Sequence, residues 1–159
     1  MRGISCSPHP APAPARALPP ELFPHIAWIT PNETEAAFYL GHTAKARSLT
    51  ESAQELQARG VRGVILKLGA EGAYLANSAG IEASVSSFPV KAVDSTAAGD
   101  AFNGAFATAL MMGKSALESA IFASAASAIS VTRAGAQASM ATLDEVLRML
   151  GEGQASPEK

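Results

Sequence analysis

Cysteine is almost missing from this sequence: Cys6 is the single one in 159 residues. No disulfide can close within the chain, and a reducing, cytoplasmic compartment is expected. Histidine is scarce as well. His9, His25 and His42 are scattered, so no zinc-type ligand spacing exists. Charge of either sign is thin and balanced, 12 basic against 14 acidic side chains for a net of -2. That leaves no electrostatic footprint for nucleic acid or an anionic membrane. Long apolar runs are also lacking. The most apolar stretch, Ala116 to Val131, carries Glu118 and several serines and falls short of the ~20 residues of a membrane span. The opening "MRGISCSPHPAPAPARALPP" has no apolar core and does not read as a signal peptide.

What is present is a 48% hydrophobic chain, enough for one core of ordinary size. Residues 1–20 read as a Pro/Ala-rich coil with an atypical start, poorly ordered at its beginning. "HIAWIT" is a short apolar run ending at Pro31 and predicts a buried strand. In "NETEAAFYLG", Asn32 can cap a helix, Glu35 stands at the capping-box position and Gly41 stops the helix. "SLTESAQELQARG" repeats the pattern with Ser48, Glu51 and Gly60. "GVILKLG" predicts a strand covered on both faces. "AYLAN" and "IEASVSSFPV" predict further strands around a turn at Ser78–Gly80. Two helices follow, from about Gly99 to Met112 and from about Ser115 to Val131. The second is so rich in Ala and Ser that neighbours can approach closely, which predicts a central position. "TRAGAQASM" reads as a loop, "TLDEVLRML" as an amphipathic helix, and residues 151–159 as a disordered tail. The element order implies α/β layering around a sheet.

The stretch "VDSTAAGDAFNGAF" carries the chemistry. A helix starting near Gly99 leaves its first N–H groups without intrahelical partners and partly positive. Ala97, Ala98 and Gly99 have little or no side chain to cover those groups, so the turn can cradle phosphate oxygens. Asp100 beside it can accept a proton from a substrate hydroxyl. An acid at a helix start also stabilises the helix by itself, so that reading stands beside the catalytic one.

Three other motifs have two readings each. In "TPNETE", the Glu35 carboxylate could hold a hydrated Mg²⁺ or could simply complete the capping box. In "KLGAEG", two glycines after a strand could let backbone approach a nucleotide or could make a plain turn. In "SVTRAGAQAS", carbonyls and hydroxyls together with Asp94 and Thr96 could ring a monovalent cation; alone, the loop says only that the chain turns.

Taken in this order and spacing, the four motifs resemble the C-terminal half of the PfkB sugar-kinase family. "DSTAAGD" is similar to that family's D-T-x-[GA]-A-G-D signature, with Ser95 in place of the usual Thr, and Ala101 follows where Thr is common. "TPNETE" is similar to its N-x-x-E motif. The "AAGD" form, with "PAPAPARALP" upstream and "TRAGAQAS" downstream, resembles the ribokinase branch. The likeness runs from about His9, where that branch has Asn, to about Val146. It implies a Rossmann-like α/β layered fold, truncated to the C-terminal nucleotide-binding half over residues 21–150. Helices would cover both faces of a mostly parallel sheet, and the N-terminal half with its sugar-binding glycines and dimerising β-lid would be lacking.

The implied activity is ATP-dependent phosphorylation of D-ribose at O-5, with Mg²⁺ as cofactor and K⁺ as activator. Asp100 would be the base and touch the sugar, and Ala97, Ala98 and Gly99 would form the anion hole. ATP would meet Asn32, Lys67, Leu68, Gly69, Ala70, Glu71, Gly72, Gly99, Asp100 and Ser124, the last standing where the branch usually carries Asn. Glu35 would act on Mg²⁺ through water. Asp94, Thr96, Ser130, Arg133, Gly135 and Ser139 would bind K⁺, several through backbone carbonyls. Two other readings remain open at this point: a non-catalytic remnant that at most binds nucleotide, and a different sugar or nucleoside kinase of the same family. With the sugar-binding half and lid lacking, little or no turnover is expected of these 159 residues alone.

Overall fold

The computed structural model describes residues 18–41 and 48–154. Residues 1–17 of the expected coil and residues 155–159 of the expected tail lie outside them. The chain divides between Ser84 and Val85 into two compact units, each with a hydrophobic cluster of its own.

In the first unit a 3₁₀ turn, Pro20–His25, buries Phe23 and leads to strand β1, Trp28–Ile29. Helix α1, Glu33–Leu40, and helix α2, Leu49–Ala58, follow, each opened by the expected capping box. Gly41 ends α1 in the left-handed conformation at φ 74°. Arg59 completes that end: its guanidinium donates to the carbonyls of Tyr39 at 2.6 Å and Leu40 at 3.1 Å. A cation at a helix C-terminus also suits the helix dipole. Strand β2, Gly63–Lys67, is buried from Gly63 to Leu66, as its continuous apolar run predicts for a strand covered on both faces. Strand β3, Ala73–Asn77, and strand β4, Glu82–Val85, complete a four-stranded sheet in the order β1-β2-β3-β4. Val64, Leu66, Leu56, Tyr39, Leu40 and Phe23 belong to the cluster that joins these helices to the sheet.

The sheet departs from the mostly parallel arrangement expected. β1 pairs with β2 in parallel, Trp28 opposite Gly63, but β2 and β3 are antiparallel, Ile65 opposite Leu75. The cause is the short connection. A parallel crossover needs a dozen or more residues, and β2 reaches β3 through the tight turn Leu68–Gly72 alone. The strand expected over "IEASVSSFPV" is likewise confined to Glu82–Val85, ahead of Pro89, which has no N–H to give a ladder.

Gly63 is fixed by its neighbour. A Cβ placed there would lie 2.4–2.6 Å from ring atoms of Trp28. The Gly63→Ala variant is expected to lose about 1–3 kcal/mol of stability from overpacking, read as a lower urea midpoint at unchanged slope. In a Trp28→Ala background the same change should cost far less.

The second unit holds helices α3, Ala98–Met111, α4, Ala116–Ser130, and α5, Leu143–Gln154. α4 is the central one, as its composition predicts: Ser119, Ala120 and Phe122–Ala126 are all buried. Ser115 and Glu118 cap it with a third box, and Gly113 separates it from α3. Ala109 of α3, Phe122, Ala125, Ala126 and Ile129 of α4, and Val146 of α5 form the core of this unit. α5 runs on to Gln154, past the point where the tail is expected to begin. No described helix is long and apolar enough to cross a membrane.

Candidate phosphate cradle and proton acceptor

The start of α3 differs from those of helices α1, α2 and α4. Asn32, Ser48 and Ser115 each cap their helix with a side-chain oxygen on the N–H three residues on. Ala97, in the equivalent place, has no side-chain oxygen, and α3 has no side-chain cap. Ala97 is also the one non-glycine with positive φ among the described residues, at φ 61° and ψ 10°. That left-handed turn strains a residue with a Cβ. Ala98 N–H closes the turn onto the Ser95 carbonyl at 3.2 Å. Among the described residues, the N–H groups of Ala97, Gly99 and Asp100 take no acceptor. The expected anion hole of Ala97, Ala98 and Gly99 thus keeps two open donors, and the N–H of Asp100 stands as a third.

Replacing Ala97 by glycine removes the strain and adds flexibility to the unfolded chain. The balance is expected to be a gain of about 0.5–1 kcal/mol, checked by urea unfolding. A loss of stability would contradict the strain argument.

The Asp100 carboxylate is exposed and takes no hydrogen bond or ion pair among the described residues. It sits at the third helical position, where Glu35, Glu51 and Glu118 of the other helices fold back onto the cap residue. Asp100 does not fold back, so its contribution to the helix is limited to the dipole, about 0.3–1 kcal/mol.

Asp94 organises the approach to this turn. One carboxylate oxygen accepts the Thr96 N–H at 2.8 Å, and the other accepts the Gly135 N–H at 2.9 Å. The Val131 carbonyl accepts both Val93 N–H and Asp94 N–H, at 2.7 and 3.1 Å. The loop after α4 is thereby tied to the segment before α3. The hydrogen bonds from Thr96 and Gly135 hold the Asp94 carboxyl well below the usual range, at about 2. Gly135 itself turns at φ 88°, a conformation glycine adopts without cost.

Of the other residues expected around a cation, Ser130 ends α4, and Arg133 and Ser139 lie with Gly135 on the loop that follows it. The fully buried hydroxyls of Ser130 and Ser139 donate to the carbonyls of Ser127 at 2.9 Å and Ala136 at 2.8 Å. Their oxygen lone pairs remain. The Arg133 guanidinium forms an ion pair with Glu145, which leaves its carbonyl as its donor to a cation. A cation held by Asp94, Ser130, Ser139 and the carbonyls of Thr96, Arg133 and Gly135 would meet oxygen alone, which suits a hard cation. Ser124 is buried and donates its hydroxyl to the Ser86 carbonyl at 3.2 Å.

In the first unit, the capping box of α1 is complete: Asn32 Oδ1 accepts the Glu35 N–H and Glu35 Oε2 accepts the Asn32 N–H, both at 2.9 Å. Glu35 is buried, which is rare for a carboxylate. Asn32 also bridges in parallel to Lys67, and Lys67 N–H reaches the Pro31 carbonyl at 2.9 Å. The structure therefore brings "TPNETE" next to "KLGAEG". Beyond Lys67 and Leu68 the backbone makes an exposed turn, with Gly69 at φ 58° and Gly72 at φ 97° flanking Ala70 and Glu71. No group of three or more His, Cys, Asp or Glu side chains poised for a metal occurs among the described residues. A single carboxylate is nevertheless in keeping with Mg²⁺, which retains its waters and takes few protein ligands.

Two functional contacts escape the sequence reading. Ser127 Oγ donates to the Ala98 carbonyl at 3.1 Å and pins the first turn of α3 to α4. Glu145 holds Arg133 while also accepting from Thr142 N–H at 2.9 Å. The T-x-x-E spacing of Thr142 and Glu145 signals the cap of α5 alone; no local pattern marks the Arg133 pair or the Ser127 contact.

Residues 3–143 match the pfkB family carbohydrate kinases. The chain is 44% identical over 140 residues to the ribokinase of Haemophilus influenzae, covering 87% of this chain and 45% of that protein. The solved Arabidopsis thaliana ribokinase, complexed with ribose and ATP, superposes with a TM-score of 0.79 at 34% identity, over 85% of this chain and 44% of that one. An E. coli structure in complex with ATP and Mg²⁺, described as a ribokinase II, gives a TM-score of 0.74 at 26% identity over 84% and 42%. The chain thus spans somewhat under half the length of the relatives it matches. An α/β fold with this match over most of its length makes the chain a member of the pfkB family of carbohydrate kinases.

Proposed function

We propose that the chain supplies the phosphate cradle and the proton acceptor of a ribokinase-type sugar kinase, which transfers the γ-phosphoryl group of ATP to O-5 of D-ribose. The observation that carries this reading is the start of α3: an uncapped helix N-terminus on a strained Ala97, with an Asp100 carboxylate that takes no partner among the described residues. Helices α1, α2 and α4, by contrast, each carry a side-chain cap.

In the reaction, the ribose 5-hydroxyl oxygen attacks the γ-phosphorus, the bond to the β-γ bridging oxygen breaks, and ADP leaves with that electron pair. Asp100 accepts the hydroxyl proton. The N–H groups of Ala97, Gly99 and Asp100 stabilise the charge on the transferring phosphoryl oxygens. Asn32, the turn Lys67–Gly72 and Ser124 are assigned to ATP by the family likeness. Glu35 is the residue that would hold Mg²⁺, through water. Bound with the nucleotide, Mg²⁺ neutralises phosphate charge. Asp94, Thr96, Ser130, Arg133, Gly135 and Ser139 would hold K⁺. Residues 21–150 form the kinase part of the chain in this reading.

The test is transfer of label from γ-labelled ATP, with Mg²⁺ and K⁺ present, to D-ribose and to a panel of other pentoses, hexoses and nucleosides. Whatever label the chain transfers is expected on ribose O-5 in preference to the others. Label on another acceptor, or release only as inorganic phosphate, would overturn the assignment.

A further inference from the structure

We propose that Glu145 is a positioning residue for the phosphate cradle, acting through Arg133 on the loop that Asp94 ties to the start of α3. The proposal rests on the functional reading above and names a residue that reading does not use. Glu145 stands in the first turn of α5 and has two tasks at once. Its Oε2 accepts the Thr142 N–H at 2.9 Å and the Thr142 hydroxyl at 3.0 Å, which caps α5. Both its oxygens also meet the Arg133 guanidinium, Oε1 from Nη2 and Oε2 from Nη1. The corresponding glutamate of α4, Glu118, bonds only Ser115 of its own cap among the described residues. Glu145 therefore does something a helix cap does not require.

What it holds is two residues from the cradle's tether. Arg133 precedes Gly135 by two positions, and the Gly135 N–H is the donor to Asp94 Oδ2. The other Asp94 oxygen holds the N–H of Thr96, next to the strained Ala97. A string of charge-assisted bonds thus runs from α5 through Arg133, the loop and Asp94 to the turn whose N–H groups face the phosphate. A two-pronged guanidinium–carboxylate pair fixes direction as well as distance. The loop carries a left-handed Gly135 and so has other conformations open to it. With the pair intact, Gly135 is presented to Asp94; without it, the loop samples those alternatives.

Amide exchange of the full, isotope-labelled chain, resolved by residue, tests this without any ligand. In Glu145→Gln the Gly135 and Thr96 amides are expected to exchange roughly tenfold faster, while Phe122 and Ala125 in α4 keep their rates. Arg133→Gln, which leaves the α5 cap in place, should give the same pattern, and the double variant should add little. Thr142→Val, which removes only the threonine's part of the cap, should leave Gly135 and Thr96 unchanged. Acceleration spread evenly over α4 and α5, or an effect of Thr142→Val at Gly135 equal to that of Glu145→Gln, would overturn the proposal. So would unchanged exchange at Gly135 in Arg133→Gln. A chain that binds no nucleotide but shows the local pattern would refute the kinase reading and leave the coupling standing.

Discussion

The Asp100→Asn variant is expected to lower whatever phosphate transfer to ribose the parent chain supports by about 10²–10⁴-fold, the usual contribution of a positioned proton acceptor. Binding of a non-hydrolysable ATP analogue should be unchanged or tighter, because a negative charge beside the phosphates has been removed. Stability should fall by no more than about 1 kcal/mol, since only the helix-dipole contribution is lost. This separation of effects follows from the geometry. Asp100 is exposed and takes no partner among the described residues, so the fold does not depend on it. A variant that unfolds, or that loses analogue binding along with turnover, would show Asp100 to be a structural acid. Turnover equal to that of the parent would place the base elsewhere.

The second large effect is expected at Asp94. Asp94→Ala removes the acceptor of both Thr96 N–H and Gly135 N–H in one step. The cradle and the loop then lose their common anchor, and ATP-analogue affinity is expected to drop roughly tenfold or more, as misplacement of a binding element commonly does. Any stimulation of binding by K⁺ should vanish with it, whereas α4, built on its own alanine and phenylalanine contacts, should remain folded.

Acid should reproduce part of this effect. Thr96 and Gly135 depress Asp94 from an ordinary 3.8 to about 2, and Arg133 with Thr142 depresses Glu145 from 4.5 to about 2. A depressed carboxylate contributes its full stabilisation above its unfolded pKa and loses it as pH falls through the folded one. Local protection of the Gly135 amide should therefore hold above about pH 5 and decline progressively toward pH 2. A decline confined to neutral pH would mean that some other group controls the loop.

The features of this molecule that could be read from sequence are those written over a few adjacent residues. Asn32 with Glu35 and Ser48 with Glu51 announce their helices because both halves of a capping box lie within one turn. The continuous apolar run of β2 announces a strand buried on both faces for the same reason. Gly63 announces nothing, because its requirement comes from Trp28 on the neighbouring strand. The antiparallel return of β3 was legible in principle from the length of Leu68–Gly72, yet the α/β pattern around it argued for parallel strands.

The candidate site divides in the same way. Small residues before an acid at Ala97–Asp100 signal an open helix start, but an alanine gives no warning of a left-handed backbone. The bond from Asp94 to Gly135 and that from Ser124 to Ser86 join residues far apart in sequence, and only the folded unit reveals them. Family likeness supplied roles for Asp94 and Gly135 where periodicity and spacing could not. It was silent on Glu145, whose value lies in one ion pair across the loop.

Calorimetric titration of the purified chain with a non-hydrolysable ATP analogue, Mg²⁺ and K⁺ present, with Asp94→Ala titrated alongside, bears most directly on the central claim. Saturable binding that weakens roughly tenfold or more in Asp94→Ala is the result predicted for a phosphate cradle held by that aspartate. Absence of binding by the folded parent chain, or equal binding by both proteins, would contradict it.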